Sequence, residues 1–229
     1  MATLAQMRDV AQRQHLLETL YRMDPGRRMA AIASVLAQSV GRGRCREPEP
    51  LGCGLGQRAG KKRGAHTGPS PVDRAKNGCK RHIITDPHGV PLLVECTPAN
   101  VRDDVPFLWM LDSTPSVKMR RSGPAPYKPA KIFGDAGYGF EHIIAQVVER
   151  NVLPMLAPRT KQGQTPVHGS GMGRVRYVVE RTIAWLANFR RIDRCFERTG
   201  SAWQAFNELA CCVICANKLN KINRAKMVA

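Results

Sequence analysis

Between Asp24 and Asp73 the sequence has no aspartate, and the acids in that interval, Glu47 and Glu49, sit among prolines. Acid is scarce throughout: 18 Asp and Glu stand against 36 Lys and Arg, leaving a net charge of +18. A chain with that excess repels itself and attracts polyanions, so nucleic acid is the first partner to consider. No apolar run reaches the roughly 20 residues needed to cross a bilayer, which argues against a membrane partner. The first residues, MATLAQMRDVAQRQ, lack the apolar core of a secretory signal, so a cytoplasmic protein is expected. The eight cysteines lack the spacing of a small disulfide scaffold. Cys212 and Cys215 form a CxxC with no second pair at zinc-finger distance. The thiols of LACCVICANKL are therefore expected as small core residues of an apolar helix.

What is present is enough for a core. The chain has 229 residues, 43% of them hydrophobic, sufficient for one large or two small domains. Residues 4–40 carry Leu4, Met7, Leu16, Leu17, Leu20 and Tyr21 at loosely helical spacing. Residues 41–63, within GRGRCREPEPLGCGLGQRAGKKRG, are rich in Gly, Pro and Arg. They read as a basic, disordered linker that cannot bury enough apolar surface to form a central strand. KRHIIT and VPLLVEC flank DPHG, a hairpin in which Asp86, Pro87 and Gly89 suit positions one, two and four of a type I turn. A short helix is expected over 103–113 with Asp103 or Asp104 as its cap. AKIFGDAGY then reads as a buried strand, FEHIIAQVVERN as an amphipathic helix and VLPMLAP as another strand. GRVRYVVERTIAWLANFRRI reads as the longest helix, and SAWQAFNELACCVICANKLNKI as the last, followed by a basic tail over 221–229. Hairpin, helix, strand, helix, strand, helix is an α/β order with one antiparallel pair and parallel crossovers.

Two carboxylates stand out. Asp135 ends an apparent strand and is followed at once by Gly137, Tyr138 and Gly139. An aspartate there can serve a turn, or can hold a metal ion at the mouth of a sheet. Glu180 lies mid-helix 45 positions later, and Arg176 precedes it by four residues. That spacing makes a helical salt bridge worth only tenths of a kcal/mol, the plainer reading of the pair.

The residues themselves resemble a family. GPSPVDRAKNGCKRHIITDPHGVPLLVECTPANVRDD, GDAGY and VRYVVERTIAWLANFRRIDRCFER, in that order across residues 64–220, are similar to bacterial insertion-sequence transposases of the DDE type, in the group named after insertion sequence 5. The resemblance implies a ribonuclease-H-like core, a mixed sheet flanked by helices. It implies two Asp and one Glu holding two divalent metals, Mg²⁺ or Mn²⁺, for in-line displacement at phosphorus, with water or a DNA 3′-hydroxyl as nucleophile. Asp135 falls on the second Asp and Glu180 on the Glu. Arg176 matches the Arg of the family's helix signature, whereas Gly173 and Ala187 stand where a Tyr and a basic residue are expected. Double-stranded DNA, as element ends and target, is the implied partner, with a homodimer on DNA and a place near the nucleoid. The basic segments 118–131 and 159–176 would contact it, through Arg120, Arg121, Lys128, Arg159, Lys161, Arg174 and Arg176. A ribonuclease-H-like nuclease and a non-enzymatic basic DNA-binding protein are the other readings that this sequence allows.

The first Asp of the family belongs on the first strand, in a segment like Val-Asp-Ser shortly before GPSPVDR, and this chain has none there. One permitted codon choice for residues 50–62, read one nucleotide later, gives Arg-Trp-Ala-Val-Asp-Ser-Ala-Ser-Val-Arg-Ala-Lys. The A-rich codons of Lys61 and Lys62 offer a slippage point. The expectation is a first strand overwritten by a frameshift or a sequencing error, hence a missing strand, a missing catalytic acid and a chain inactive unless expressed in the correct frame.

Overall fold

The computed structural model describes residues 51–60, 64–114, 129–157 and 173–228. The expected N-terminal helix, most of the proline-rich segment from 115 and the loop after 158 lie outside the described residues. The elements run β1 (Leu51–Ala59), β2 (Gly68–Pro69), β3 (Asn77–Thr85), β4 (Pro91–Pro98), α1 (Asp104–Ser113), β5 (Lys131–Gly134), α2 (Glu141–Glu149), β6 (Leu153–Leu156), α3 (Gly173–Ala187), α4 (Arg190–Asp193) and α5 (Gly200–Val228).

β4 and the short β2 share the outer edge of β3, and β1, β5 and β6 follow on its other side. The β4–β3–β1 ladders are antiparallel, and the β1–β5–β6 ladders parallel. This is the mixed sheet expected of a ribonuclease-H-like core. Neighbouring residues Ile83 and Ile84 point to opposite faces, as strand alternation requires, and they enter two separate cores. Ile84, Leu93, Ile132 and Tyr138 pack with Phe107 and Met110 of α1 and Ile143 and Val147 of α2. On the other face Ile83, Val94 and Cys96 pack with Val179 and Leu186 of α3 and Trp203, Cys211 and Ile214 of α5. Cys211 and Cys215 are fully buried, so the cysteine-rich stretch is core, as its apolar setting predicts.

The hairpin forms as read. The Gly89 N–H donates to the Asp86 carbonyl at 3.0 Å, and Gly89 takes φ +77°, a conformation that glycine adopts without strain. The long helix read over 173–192 ends instead at Ala187. Phe189 is extended and a short α4 follows, so α5, with 29 residues, is the longer one. α5 also takes in residues 221–228, read above as a basic tail.

The main correction concerns β1. The segment read as a disordered linker contains a nine-residue strand at the centre of the sheet. It pairs with β3 from Gly52↔Thr85 to Ala59↔Gly78, and with β5 at Leu51↔Ile132 and Gly52↔Phe133. The physical reason lies in an overlooked alternation. In LGCGLGQRA the apolar residues fall at 51, 53 and 55 and glycines at 52, 54 and 56. Leu51 and Cys53 enter the core under α1 and α2. The glycine face admits α3 at very short range: a Cβ on Gly54 would lie 2.4 Å from Val179 Cγ1, and one on Gly56 2.9 Å from Ile183 Cγ2. β3 and β5 each offer a row of backbone groups that must be paired when buried, and β1 pairs both.

Candidate active site

The sheet ends where β5 gives way to a turn. Asp135 is the first residue past β5. Its Oδ1 accepts from the Gly137 N–H at 3.0 Å, and its carbonyl accepts from the Tyr138 N–H at 3.1 Å. Partial burial raises the Asp135 carboxyl above its usual range. The nearby Asp103 adds to the rise, while the Gly137 N–H and Arg176 oppose it.

Asp103 or Asp104 was expected to cap α1, and Asp103 is the one so placed. It makes no side-chain cap bond. Its Oδ1 instead accepts from Lys80 Nζ at 2.7 Å, and the same ammonium donates to the Val101 carbonyl at 2.7 Å. Its Oδ2 lies 3.1 Å from where a Cβ on Gly137 would sit, and Asp135 Oδ1 lies 3.0 Å from that point. A side chain at 137 would press on both carboxylates, which glycine leaves room for. Sequence reasoning missed Asp103 as a neighbour of Asp135. The signal was there in the adjacent acids of NVRDD, of which only Asp104 is tied to Arg102.

Below this pair lies His82, buried in β3, its Nε2 2.8 Å from Thr97 Oγ1. Burial lowers its pKa to about 4, with Lys80 acting the same way and Asp103 opposing. Cys53 Sγ donates to the Phe133 carbonyl at 3.0 Å. Burial, and secondarily Asp135, push that thiol well up, so Cys53 is a neutral packing group.

Glu180 sits on α3 with Oε1 2.7 Å from Arg176 Nε, both side chains more than half exposed. The helical salt bridge foreseen from the spacing is therefore formed. Arg176 also lies near enough to Asp135 to favour its charge. Arg176 thus pairs with Glu180 directly and acts on Asp135 only through its charge. The side chain of Arg174 and all of Arg120, Arg121, Lys128, Arg159 and Lys161 lie outside the described residues.

The parallel ladder bears on the acid that the resemblance implies for the first strand. Gly52 pairs with Phe133, so the same register carried two residues further sets Gly54 beside Asp135. Alternation turns 52, 54 and 56 toward α3, the helix that bears Glu180, and likewise turns residues 133 and 135. The shifted reading of residues 50–62 puts its aspartate at the position of Gly54. In this chain that position carries no side chain, and Val179 fills the space. Among the described residues no group of three or more His, Cys, Asp or Glu side chains is arranged to hold a metal. Asp103, the carboxylate beside Asp135, is paired with Lys80, and Glu180 is paired with Arg176.

A family model described as a transposase DDE domain matches residues 53–216. A protein of Burkholderia cepacia, described as the proposed transposase for insertion sequence element IS402, is 40% identical over 159 residues, which cover 69% of this chain and 72% of that relative.

Proposed function

Because this chain belongs to the transposase DDE domain family, we propose that it serves an insertion element by binding the element's DNA ends, with a catalytic centre that is incomplete as written. Members of the family depend on divalent metal, Mg²⁺ or Mn²⁺ in this reading. The residues present do not fit a pair of such ions. Two dications near roughly 4 Å of each other need a bridging carboxylate from the first strand, and Gly54 supplies none. No cleavage step is therefore derived for this chain. Asp135 and Glu180 are its two remaining metal ligands, with Arg176 holding Glu180 in place.

The observation that supports the proposal is the register of β1 on β5, Leu51↔Ile132 and Gly52↔Phe133, which carried two residues further would bring Gly54, packed against Val179 of α3, beside Asp135. The proposed catalytic domain accordingly begins at β1 rather than at residue 64. A charge of +18 supplies the attraction for double-stranded DNA, and the basic loops at 118–131 and 159–176 are proposed to reach it. Two copies on paired element ends, in the bacterial cytoplasm near the nucleoid, complete the reading. Bound but uncut DNA also makes this chain an occupant of element ends, the non-enzymatic alternative. The missing third acid favours that alternative over a hydrolytic nuclease.

The test replaces residues 50–62 by the shifted sequence. The chain as written should bind DNA carrying the inverted repeats of its own element and leave it uncut with Mg²⁺ or Mn²⁺. The replaced chain should nick at the repeat ends. Equal nicking by both chains, purified free of host nucleases, would overturn the proposal.

A further inference from the structure

On the far side of α3 from Glu180, a groove of about 810 Å³ opens between α3, α5 and the β3–β4 turn, lined by His88, Arg181, Trp185, Phe189, Lys218 and Lys221 among others, with no carboxylate in the lining. Arg181 Nη2 and Lys218 Nζ both donate to one acceptor, the His88 carbonyl, at 3.0 and 2.5 Å. Both cations also lie over the Trp185 ring, at 5.1 and 4.7 Å from its centroid, and Arg181 lies over Tyr177 at 5.5 Å. The nearest carboxylate, Asp86, has its Oδ1 occupied by the backbone N–H groups of His88 and Val90 at 2.8 and 2.7 Å. Two cations are thus held against an aromatic face and share one neutral oxygen. Burial lowers the pKa of Lys218, with Arg181 and Lys221 adding to it and Asp86 opposing. The groove concentrates three cations with no carboxylate in its lining, and Asp86 beside it acts on Lys218 at a distance. Cation–π contacts fix where that charge stands, which is what a site for a phosphate needs.

We propose that this groove is a second DNA contact, in which Arg181, Lys218 and Lys221 clamp one backbone phosphodiester of a DNA strand that crosses α3. This rests on the DNA-binding reading above but assigns residues outside both basic loops and away from Asp135 and Glu180. Arg181 follows Glu180 directly in α3, so a strand held here is tethered to the helix that carries the acid. A phosphodiester offers two non-bridging oxygens that share one negative charge, enough to draw Arg181 and Lys218 off the shared carbonyl without uncovering Trp185.

The test measures anisotropy of a labelled 20-base-pair duplex with the full chain across a salt series. Lys218→Gln, Lys221→Gln and Arg181→Gln should each weaken binding and lower the slope of log Kd against log salt, the triple variant by about 1 in all, the share of one phosphate contact. Lys76→Gln, at the opposite end of β3, should leave the slope unchanged. Lys221 stands exposed at the rim, so its variant carries the test if loss of the Arg181 packing unfolds the protein, which thermal melts report. Unaltered slopes in all three variants, with tight binding by the parent chain, would overturn the groove alone. No duplex binding by the parent chain at low salt would overturn both the groove and the DNA reading. A third arm adds sodium tripolyphosphate. If it quenches Trp185 at concentrations that leave the duplex bound, and Trp185→Phe removes the quenching, the groove serves a free polyphosphate and the assignment to DNA is wrong.

Discussion

β1 and β5 are neighbours at the centre of one sheet, and they were built from opposite kinds of sequence. β5 is four residues long, KIFG, and delivers Asp135 directly at its end. β1 is nine residues long and laddered on both sides, but its face toward α3 is glycine. A strand needs little to be placed: two edges waiting for backbone partners and one apolar face, here Leu51 and Cys53. Chemistry needs the other face as well. On the proposed reading, β1 has the backbone of the family's first strand without its acid, whereas β5 has both strand and acid.

The comparison breaks most visibly in a chain whose residues 50–62 carry the shifted sequence. There Asp135→Asn or Glu180→Gln should reduce metal-dependent nicking of a plasmid bearing the element ends to background. In the chain as written the same substitutions should change nothing, since both strands must contribute an acid. A next-largest effect should come from filling the glycine face. Gly54→Val should cost about 1–3 kcal/mol through overpacking against Val179. Urea denaturation checks it, and Val179→Ala should return part of the loss as a coupling energy.

The opposite sign is expected at Arg81. This guanidinium is buried in β3, and none of its three nitrogens has a partner among the described residues. Burial, and then Arg58, pull its pKa down. Arg81→Met keeps the volume and removes the uncompensated charge, so the protein should gain on the order of 1 kcal/mol, read from the same denaturation curves.

His82 sharpens the comparison through pH. Burial lowers its folded pKa to about 4 from the ordinary 6.5, so the unfolded chain binds the extra proton first. His82 therefore costs stability as pH falls from about 6.5 through about 4 and contributes no such loss above that window. His82→Gln should flatten the melting temperature over that range. Glu95 acts the other way: burial, then Glu208, raise its carboxyl to about 7, so its cost appears as pH rises from about 4.5 toward 7. Smallest of all, Glu180→Gln should change stability by less than about 0.5 kcal/mol, because its pair with Arg176 is exposed. Only activity in the repaired chain would register that change.

Much of this was legible in the residues. Periodicity found the hairpin, α2, β5, β6 and α5, and three blocks in the right order found the family. The hairpin succeeded because Asp86, Pro87 and Gly89 carry their turn chemistry locally. β1 failed because glycine and arginine content was weighed while the alternation of Leu51, Cys53 and Leu55 with glycine was not. Its stability as a strand comes from partners distant in sequence, Ile132 on one side and Ile83–Thr85 on the other. Asp103 was placed in the right helix but given the wrong task. The choice between capping α1 and pairing with Lys80 depends on where β3 lies, which spacing alone does not show. Ala187 as the end of α3 was missed for a similar reason, since Phe189 turns back into the core under α5.

The claim that β1 is a true central strand with an empty chemical face is tested most directly by amide hydrogen exchange on the chain as written. The account predicts slow exchange for the β1 amides between Gly52 and Arg58 that donate to β3, within the range of the β3 amides at Lys80–Ile84 that answer them. Exchange across 51–59 at the rate of an unstructured peptide, with β3 and β4 still protected, would contradict it.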